Sequence, residues 1–327
     1  MNYNDTIYGN YEIQEPVILE LINSPAMQRL KGIDQAWYFH VYFPGIPRSR
    51  FNHSLGVYLL LKNYWASIEE QIAWLLHDIS HGTFSHCLDY VFEWWNQKEQ
   101  SHQDNIFESF IKKTNIPDIL KKHGLNIEYI IDDTHFPLKE TTLPDLCADR
   151  IDYILRDAWH LGEFSHEEVT YILEHLIIRE NKRIFKDLPS AKIFAELFYH
   201  MNEKYYAGIE SAAMYRTVGD CLRYARKHEY LDSDDFYTVD TQVLDKITTH
   251  IENNQQLDIY WQRMNNKIPF TNNPNDFDAH VFCKSRIVDP LFVDDTIVKR
   301  VSDVDSAWKM SIQNALSAKE YFLKFEK

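Results

Sequence analysis

The stretch Trp74-Leu75-Leu76-His77-Asp78-Ile79-Ser80-His81-Gly82-Thr83-Phe84-Ser85-His86 decides how the rest of this chain is read. Helical periodicity runs from Ser67 to His77, and Gly82 then interrupts it. Inside a regular helix adjacent side chains diverge by roughly 100°, so neighbouring His and Asp rarely share an ion. At a helix end both can turn toward one point, and here His77 and Asp78 stand at such an end. A His-Asp pair alone is an ordinary accident of composition. Joined by another His and another Asp from distant helices, it makes a mixed nitrogen and oxygen site. Such a site suits a divalent first-row metal such as iron, manganese or zinc better than a thiolate metal. Of the 15 histidines in the chain, His53, His77, His81, His86 and His102 all fall between residues 53 and 102.

Outward from this stretch the pattern is mainly helical. VILELINSPAMQRLK (17–31) reads as an amphipathic helix broken at Ser24-Pro25, with Ser24 as N-cap and Pro25 at the first helical position. Tyr38 to Phe43 is aromatic and reads as a short extended segment closed by a turn at Pro44-Gly45. Helical periodicity covers His53 to Leu61, His102 to Lys113 and Leu143 to Leu161, the last with Gly162 just past its end. Leu176 to Phe185 reads as a small β-hairpin turning at Glu180-Asn181-Lys182. Long helices are expected from Ala191 to Lys227, then an Asn- and Asp-rich loop from Asn253 to Asp278. A mixed piece, VFCKSRIVDPLFV (281–293), precedes a final helix near Ala307 to Phe325. The expected fold is therefore all-α, with one small hairpin and a minor mixed C-terminal extension.

Composition bounds the function. The chain has 327 residues, 45% apolar, with only 9 glycines and 11 prolines, which favours long elements around a sizeable core. A formal net charge of −15 makes nucleic acid an unlikely partner, because gripping a phosphate backbone calls for a basic face. Cys87, Cys147, Cys221 and Cys283 are widely spaced and form no CxxC pair, so neither disulfides nor a zinc-thiolate cluster is expected. No apolar run approaches the roughly 20 residues that span a bilayer, and the N-terminus lacks a signal-peptide core. A cytoplasmic protein with no membrane partner is expected.

Three motifs in order, RSRFNHSLGVYLL (48–60), WLLHDISHGTFSH (74–86) and CADRIDYILRDAWHLG (147–162), together with QRLKGIDQAWYFHVYFPG from residue 28, resemble the HD superfamily of metal-dependent phosphohydrolases. The likeness is to the branch of deoxynucleoside triphosphate triphosphohydrolases, and it covers about residues 7 to 165. It implies an HD domain over about residues 1–250, with 251–327 as an extension packed on it. It also implies metal ligation by His53, His77, Asp78 and Asp149, with Fe, Mn, Zn or Mg as the divalent ion. His86 supported by Asp89, with His81 and His102 nearby, matches the residues used in proton transfer. Arg50, Arg150 and Tyr153 match phosphate contacts, and Gln35 and Asp157 match positions that read the sugar 3′-hydroxyl. A homodimer or higher homo-oligomer is expected, because relatives assemble.

The chemistry fits these residue types. A bound divalent ion lowers the pKa of water from about 16 toward about 7, a positioned histidine typically contributes about 10²–10⁴-fold by proton transfer, and arginine offers a planar charged fork to phosphate oxygens. The resemblance departs after Asp157. The branch carries a Tyr-x-His-Lys element where this chain has Lys204-Tyr205-Tyr206-Ala207-Gly208, so two cationic contacts are replaced by Ala207 and Gly208; Lys204 and Arg216 are the nearest substitutes. Three readings follow: hydrolysis of a nucleotide substrate, a dNTP, to deoxynucleoside and triphosphate; hydrolysis of a nucleoside mono- or diphosphate or another small phosphate ester; or a non-catalytic nucleotide-binding regulator.

Overall fold

Capping side chains set where the helices begin. In this computed structural model, which describes residues 1–36, 38–43, 45, 48–91, 101–136, 138, 142–315 and 317–326, Ser24 Oγ accepts from Met27 N and separates α1 (Pro16–Ile22) from α2 (Pro25–Arg29). A hairpin of β1 (Asn2–Asp5) and β2 (Gly9–Glu12) precedes them. Ser49 caps α4 (Arg50–Asn63) and Ser67 caps α5 (Ile68–Leu75), each through its hydroxyl to a backbone N–H three residues on. Between α2 and α4, Phe39–Tyr42 forms α3, a single helical turn where an extended segment was expected. Aromatic β-propensity is overridden there, because the helical turn puts Phe39 and Tyr42 on one side and buries both. Pro44 of the expected turn lies outside the described residues.

The helical body continues with α6 (His102–Ile111), α7 (Ile116–Lys122), α8 (Ile127–Ile130), α9 (Ala148–His160) and α10 (His166–His175). It then runs through α11 (Leu188–Met201), α12 (Ile209–Lys227), α13 (Asp240–Ile251) and α14 (Gln255–Met264). The hairpin of β3 (Leu176–Arg179) and β4 (Lys182–Phe185) forms as expected, with Glu180 and Asn181 both at positive φ. α9 starts at Ala148 rather than near Leu143, because residues 142–145 form a turn closed by Asp145 N on Thr142 O.

The C-terminal third holds more sheet than a minor extension. β5 (Phe270–Asn272), β6 (Ala279–Cys283) and β9 (Lys319–Phe325) form one antiparallel sheet in the order β5-β9-β6. β7 (Leu291–Asp294) and β8 (Ile297–Arg300) extend the β3-β4 hairpin, with β7 parallel to β4. After α15 (Val301–Val304) the expected final helix is α16 (Ser306–Ala315) only. Lys319–Phe325 is a strand because β5 and β6 pair with it on either side and Leu323 and Phe325, two residues apart on one face, are buried. Within the expected Asn-rich loop, Asn254 accepts from Leu257 N and starts α14.

Among the described residues the core has two apolar clusters, and α4 lies between them. Leu55, Tyr58 and Leu59 enter the cluster built around α1 and α5, whereas Val57, Leu60 and Leu61 enter the larger one. That larger cluster joins α9 and α12 to Val281, Trp308 and Leu323 of the C-terminal third. Each fully buried large aliphatic side chain contributes about 1.5–3 kcal/mol, so α4 is held from both sides. Its fourth residue is His53. Among the described residues no helix is long and apolar enough to cross a membrane, and all four cysteines are free and buried.

Candidate metal centre

Three side chains from three elements converge: His53 on α4, His77 just after α5, and Asp149 in the first turn of α9. One ligand atom from each lies within 4.8 Å of the other two. His53 Nε2 is 3.0 Å and His77 Nε2 3.8 Å from Asp149 Oδ1. Both imidazole nitrogens are buried and neither makes a hydrogen bond. Their other nitrogens are committed, His53 Nδ1 to Asp152 Oδ2 at 2.7 Å and His77 Nδ1 to the Trp74 carbonyl at 2.6 Å. Each ring is thus oriented with its Nε2 turned to the common point, as histidines that bind metals are. The donor set fits a divalent ion.

Asp78 flanks this trio. Its Oδ2 accepts from Arg50 Nη1 at 2.6 Å and lies 3.8 Å from His53 Nε2, and its Oδ1 is 3.5 Å from His77 Nε2 and 3.3 Å from His81 Nε2. Burial opposes its charge, but Arg50 and the two histidines outweigh that and hold its carboxyl well below the usual range. Burial also opposes charge on Asp149, which His53 and His77 keep ionised. Burial likewise disfavours a charged His53, yet Asp149 and Asp152 outweigh it and raise its pKa to about 10. A proton and a cation therefore compete for Nε2.

Behind His53 stands a buried relay absent from the sequence reading. Asp152 receives Arg156 at 2.8 and 3.0 Å, and Arg156 also reaches Asp5 on the N-terminal hairpin at 3.2 Å. Asp149, Asp152 and Arg156 recur at i, i+3 and i+7 along α9, a stripe that could have signalled it. Gly56 leaves room for the pair, since a Cβ there would overlap Arg156 Nη2 and Asp152 Oδ1.

The loop from Gly82 to His86 is strongly constrained. Phe84 and Ser85 both have positive φ, near 54° and 48°, a conformation that surrounding contacts must hold. Asp240 does so: its Oδ1 accepts from Phe84 N at 2.8 Å and its Oδ2 from Asp34 N at 2.9 Å. Burial outweighs those two donors and pushes the Asp240 carboxyl up to about 7. Arg29 donates to the carbonyls of Ile79 and His81, both at 2.8 Å. Arg29 falls within the QRLK stretch that carries the resemblance, whereas Asp240 had no sequence signal.

The loop delivers His86 onto a 3₁₀ turn, Ser85–Tyr90, where i and i+3 eclipse. His86 Nδ1 is accordingly 3.4 Å from Asp89 Oδ2. Burial lowers the pKa of His86, partly offset by Asp89. His81 packs edge-on against His86 with ring centroids 5.1 Å apart. The ring of His102 is placed differently: its Nε2 meets Tyr237 OH at 3.0 Å, it is not among the residues lining the cavity described next, and its backbone N–H donates to Asp89 Oδ1.

A cavity of about 560 Å³ opens onto the cluster. His77, Asp78, His81, His86, Asp149, Gln35, Arg50, Arg150, Tyr153 and Asp157 line it, and so do Lys284 and Arg286, which the sequence reading missed. Arg50 is buried with its donors on Asp78, Ser85 Oγ and the Gln35 carbonyl, so it holds Asp78 and the loop from inside the wall. Arg150 donates to the Asp145 carbonyl at 3.2 Å. Asp157 pairs with Arg48 at 3.2 Å and accepts from Tyr206 OH at 2.7 Å, while the Gln35 side-chain oxygen is buried without a hydrogen bond. Lys204 and Arg216 lie outside the cavity lining, tied to Glu163 and Asp220, and do not replace the missing His-Lys pair.

The HD domain family matches residues 50–157, the span from Arg50 to Asp157 that carries this site, and the chain belongs to that family. Over 95% of its length it is 36% identical to the uncharacterized protein YdhJ of Bacillus subtilis, 94% of which is covered. It is 40% identical to the metal-dependent phosphohydrolase cns2 of Cordyceps militaris, over 53% of this chain and 49% of that one. With the deoxynucleoside triphosphate triphosphohydrolase SAMHD1 of Gallus gallus identity is 28%, over 49% of this chain and 34% of that one. The chain thus spans half or less of the length of these last two relatives. Two solved structures share the fold: a phosphohydrolase from Bacteroides thetaiotaomicron (TM-score 0.69, 18% identity, all of both chains covered) and a hypothetical protein from Aquifex aeolicus (TM-score 0.73, 20% identity, 99% and 96% covered).

Proposed function

We propose that this protein is a metal-dependent phosphohydrolase that cleaves a dNTP to deoxynucleoside and triphosphate. The observation that carries the reading is the pair of buried Nε2 atoms of His53 and His77 turned to one point beside Asp149, next to a cavity lined by Arg50, Arg150, Lys284 and Arg286. His53, His77, Asp149 and Asp78 would hold a divalent ion, which when bound supplies Lewis acidity toward phosphate and an acidified water. The remaining work falls to the chain. Arg150 and Tyr153 bind and orient phosphate, and Arg50 keeps Asp78 aimed. Gln35 and the Arg48–Asp157 pair supply polar groups at the cavity wall for a sugar hydroxyl. His86 is the proton donor to the leaving 5′-oxygen. Burial lowers its pKa against the pull of Asp89, and the negative charge of a bound phosphate would favour its protonated form.

A second reading, a phosphatase acting on nucleoside monophosphates or similar esters, is favoured by Ala207 and Gly208, which bring no cation where the triphosphatases carry two. The two separate in one assay. Purified protein is incubated with dNTPs, dNDPs and dNMPs in manganese, iron or magnesium, and the products are resolved by ion-exchange chromatography. The proposal expects deoxynucleoside and intact triphosphate in equal amounts. Orthophosphate alone, or faster turnover of dNMP than of dNTP, would establish the second reading instead.

A further inference from the structure

The strand β6 ends at the cavity. Beyond it, Lys284 and Arg286 line the wall together with Arg150, and all three contribute charge within reach of one another. Burial and the two guanidinium groups push Lys284 down to about 8, with Asp104 and Asp89 opposing. Arg286 also lies close enough to act electrostatically on His86 and Tyr153. A wall that crowds like charges beside a phosphoryl site is one that an anion relieves.

The segment is fastened in place. Asn202, fully buried in the π-helical turn Asn202–Tyr206 between α11 and α12, accepts from Arg286 N at 2.9 Å and donates to Ser285 Oγ at 3.1 Å. Tyr90 OH donates to the Phe282 carbonyl at 2.6 Å, and Tyr321 OH of β9 to the Ala207 carbonyl at 2.8 Å. The same turn that lacks the family's two cations is therefore the dock for the sheet that brings Lys284 and Arg286. Single-turn π segments often mark such functional rearrangements.

We infer that Lys284 and Arg286, delivered by the C-terminal sheet and seated by Asn202, grip the polyphosphate tail of the nucleotide beyond the metal cluster. The inference rests on the nucleotide reading above, deepens it, and makes the C-terminal third part of the substrate site.

The test is calorimetric titration of the purified protein with tripolyphosphate and with orthophosphate, for the wild type, Lys284→Met, Arg286→Ala and the control Lys204→Ala. Methionine keeps the apolar stem of Lys284, and both cavity residues are partly exposed, so thermal unfolding should change little. Each cavity variant should weaken tripolyphosphate binding on the order of tenfold or more, and orthophosphate binding markedly less. Lys204→Ala, which loses a charge outside the cavity, should leave the ratio of the two affinities as in wild type. An unchanged ratio in both cavity variants, or an equal loss in Lys204→Ala, overturns the inference. If the wild type cleaves no nucleotide yet the ratio collapses in the cavity variants, the grip stands and only the proposed reaction falls.

Discussion

Adding one methyl group at Gly56 should disable the metal centre from behind. In an ordinary helix interior Gly→Ala gains about 1 kcal/mol from backbone entropy. At Gly56 the new Cβ would overlap Arg156 Nη2 and Asp152 Oδ1, two ends of a fully buried ion pair rather than free side-chain tips. Forcing extra volume into a packed interior costs about 1–3 kcal/mol. Escape by separating the pair costs about 3–5 kcal/mol, because each charge is left buried without its partner. Either route exceeds or matches the helical gain, and the second leaves a net loss of about 2–4 kcal/mol. At roughly 2–4 °C per kcal/mol in a large domain, Tm should fall on the order of 5–10 °C. Asp152 also fixes the tautomer of His53 through its 2.7 Å hydrogen bond, and losing such support costs about 10–100-fold in metal affinity. Thermal unfolding in chelator gives the first quantity, and manganese titration of the same protein the second. A Gly56→Ala protein that is more stable by about 1 kcal/mol and binds metal as before would refute the relay.

Two other outcomes are expected. His86→Ala should lower kcat by about two to four orders of magnitude with metal content intact, and a rate within threefold of wild type would remove His86 from the chemistry. Asp240 holds its proton up to about pH 7 when folded but only to about 4 when unfolded, so the folded chain binds the extra proton between those values. Its favourable contribution is complete below pH 4 and is lost as pH rises through 7. Asp240→Asn should therefore gain stability relative to wild type between pH 5 and pH 8 in urea unfolding, and parallel pH profiles for the two proteins would contradict it.

What could be read in the sequence was whatever depends on short spacing. Ser24-Pro25 and Ser67 announce helix starts because a cap acts within three residues. Glu180-Asn181 announces a hairpin because tight turns need residues tolerant of positive φ. His53, His77 and Asp149 were legible through motifs that the family shares, and the structure brings them together. The segments misread are those decided by distant partners. Phe39–Tyr42 coils because the core takes both rings, and Lys319–Phe325 extends because β5 and β6 wait on either side of it. Lys284, Arg286 and Asp240 were invisible for the same reason, since each reaches the site from a segment with no local pattern.

The strand order β5-β9-β6 carries a consequence for biogenesis. β9 is the last of these strands to leave the ribosome, yet it is the middle one, so neither β5 nor β6 has its sheet partner until residues 319–325 emerge. His53, His77 and Asp149 by then are already made, together with Asp5 and Arg156. The last of the three candidate ligands, Asp149, precedes β9 by more than a hundred residues. Synthesis thus supplies all three of those side chains before the strand that closes the sheet leading to Lys284.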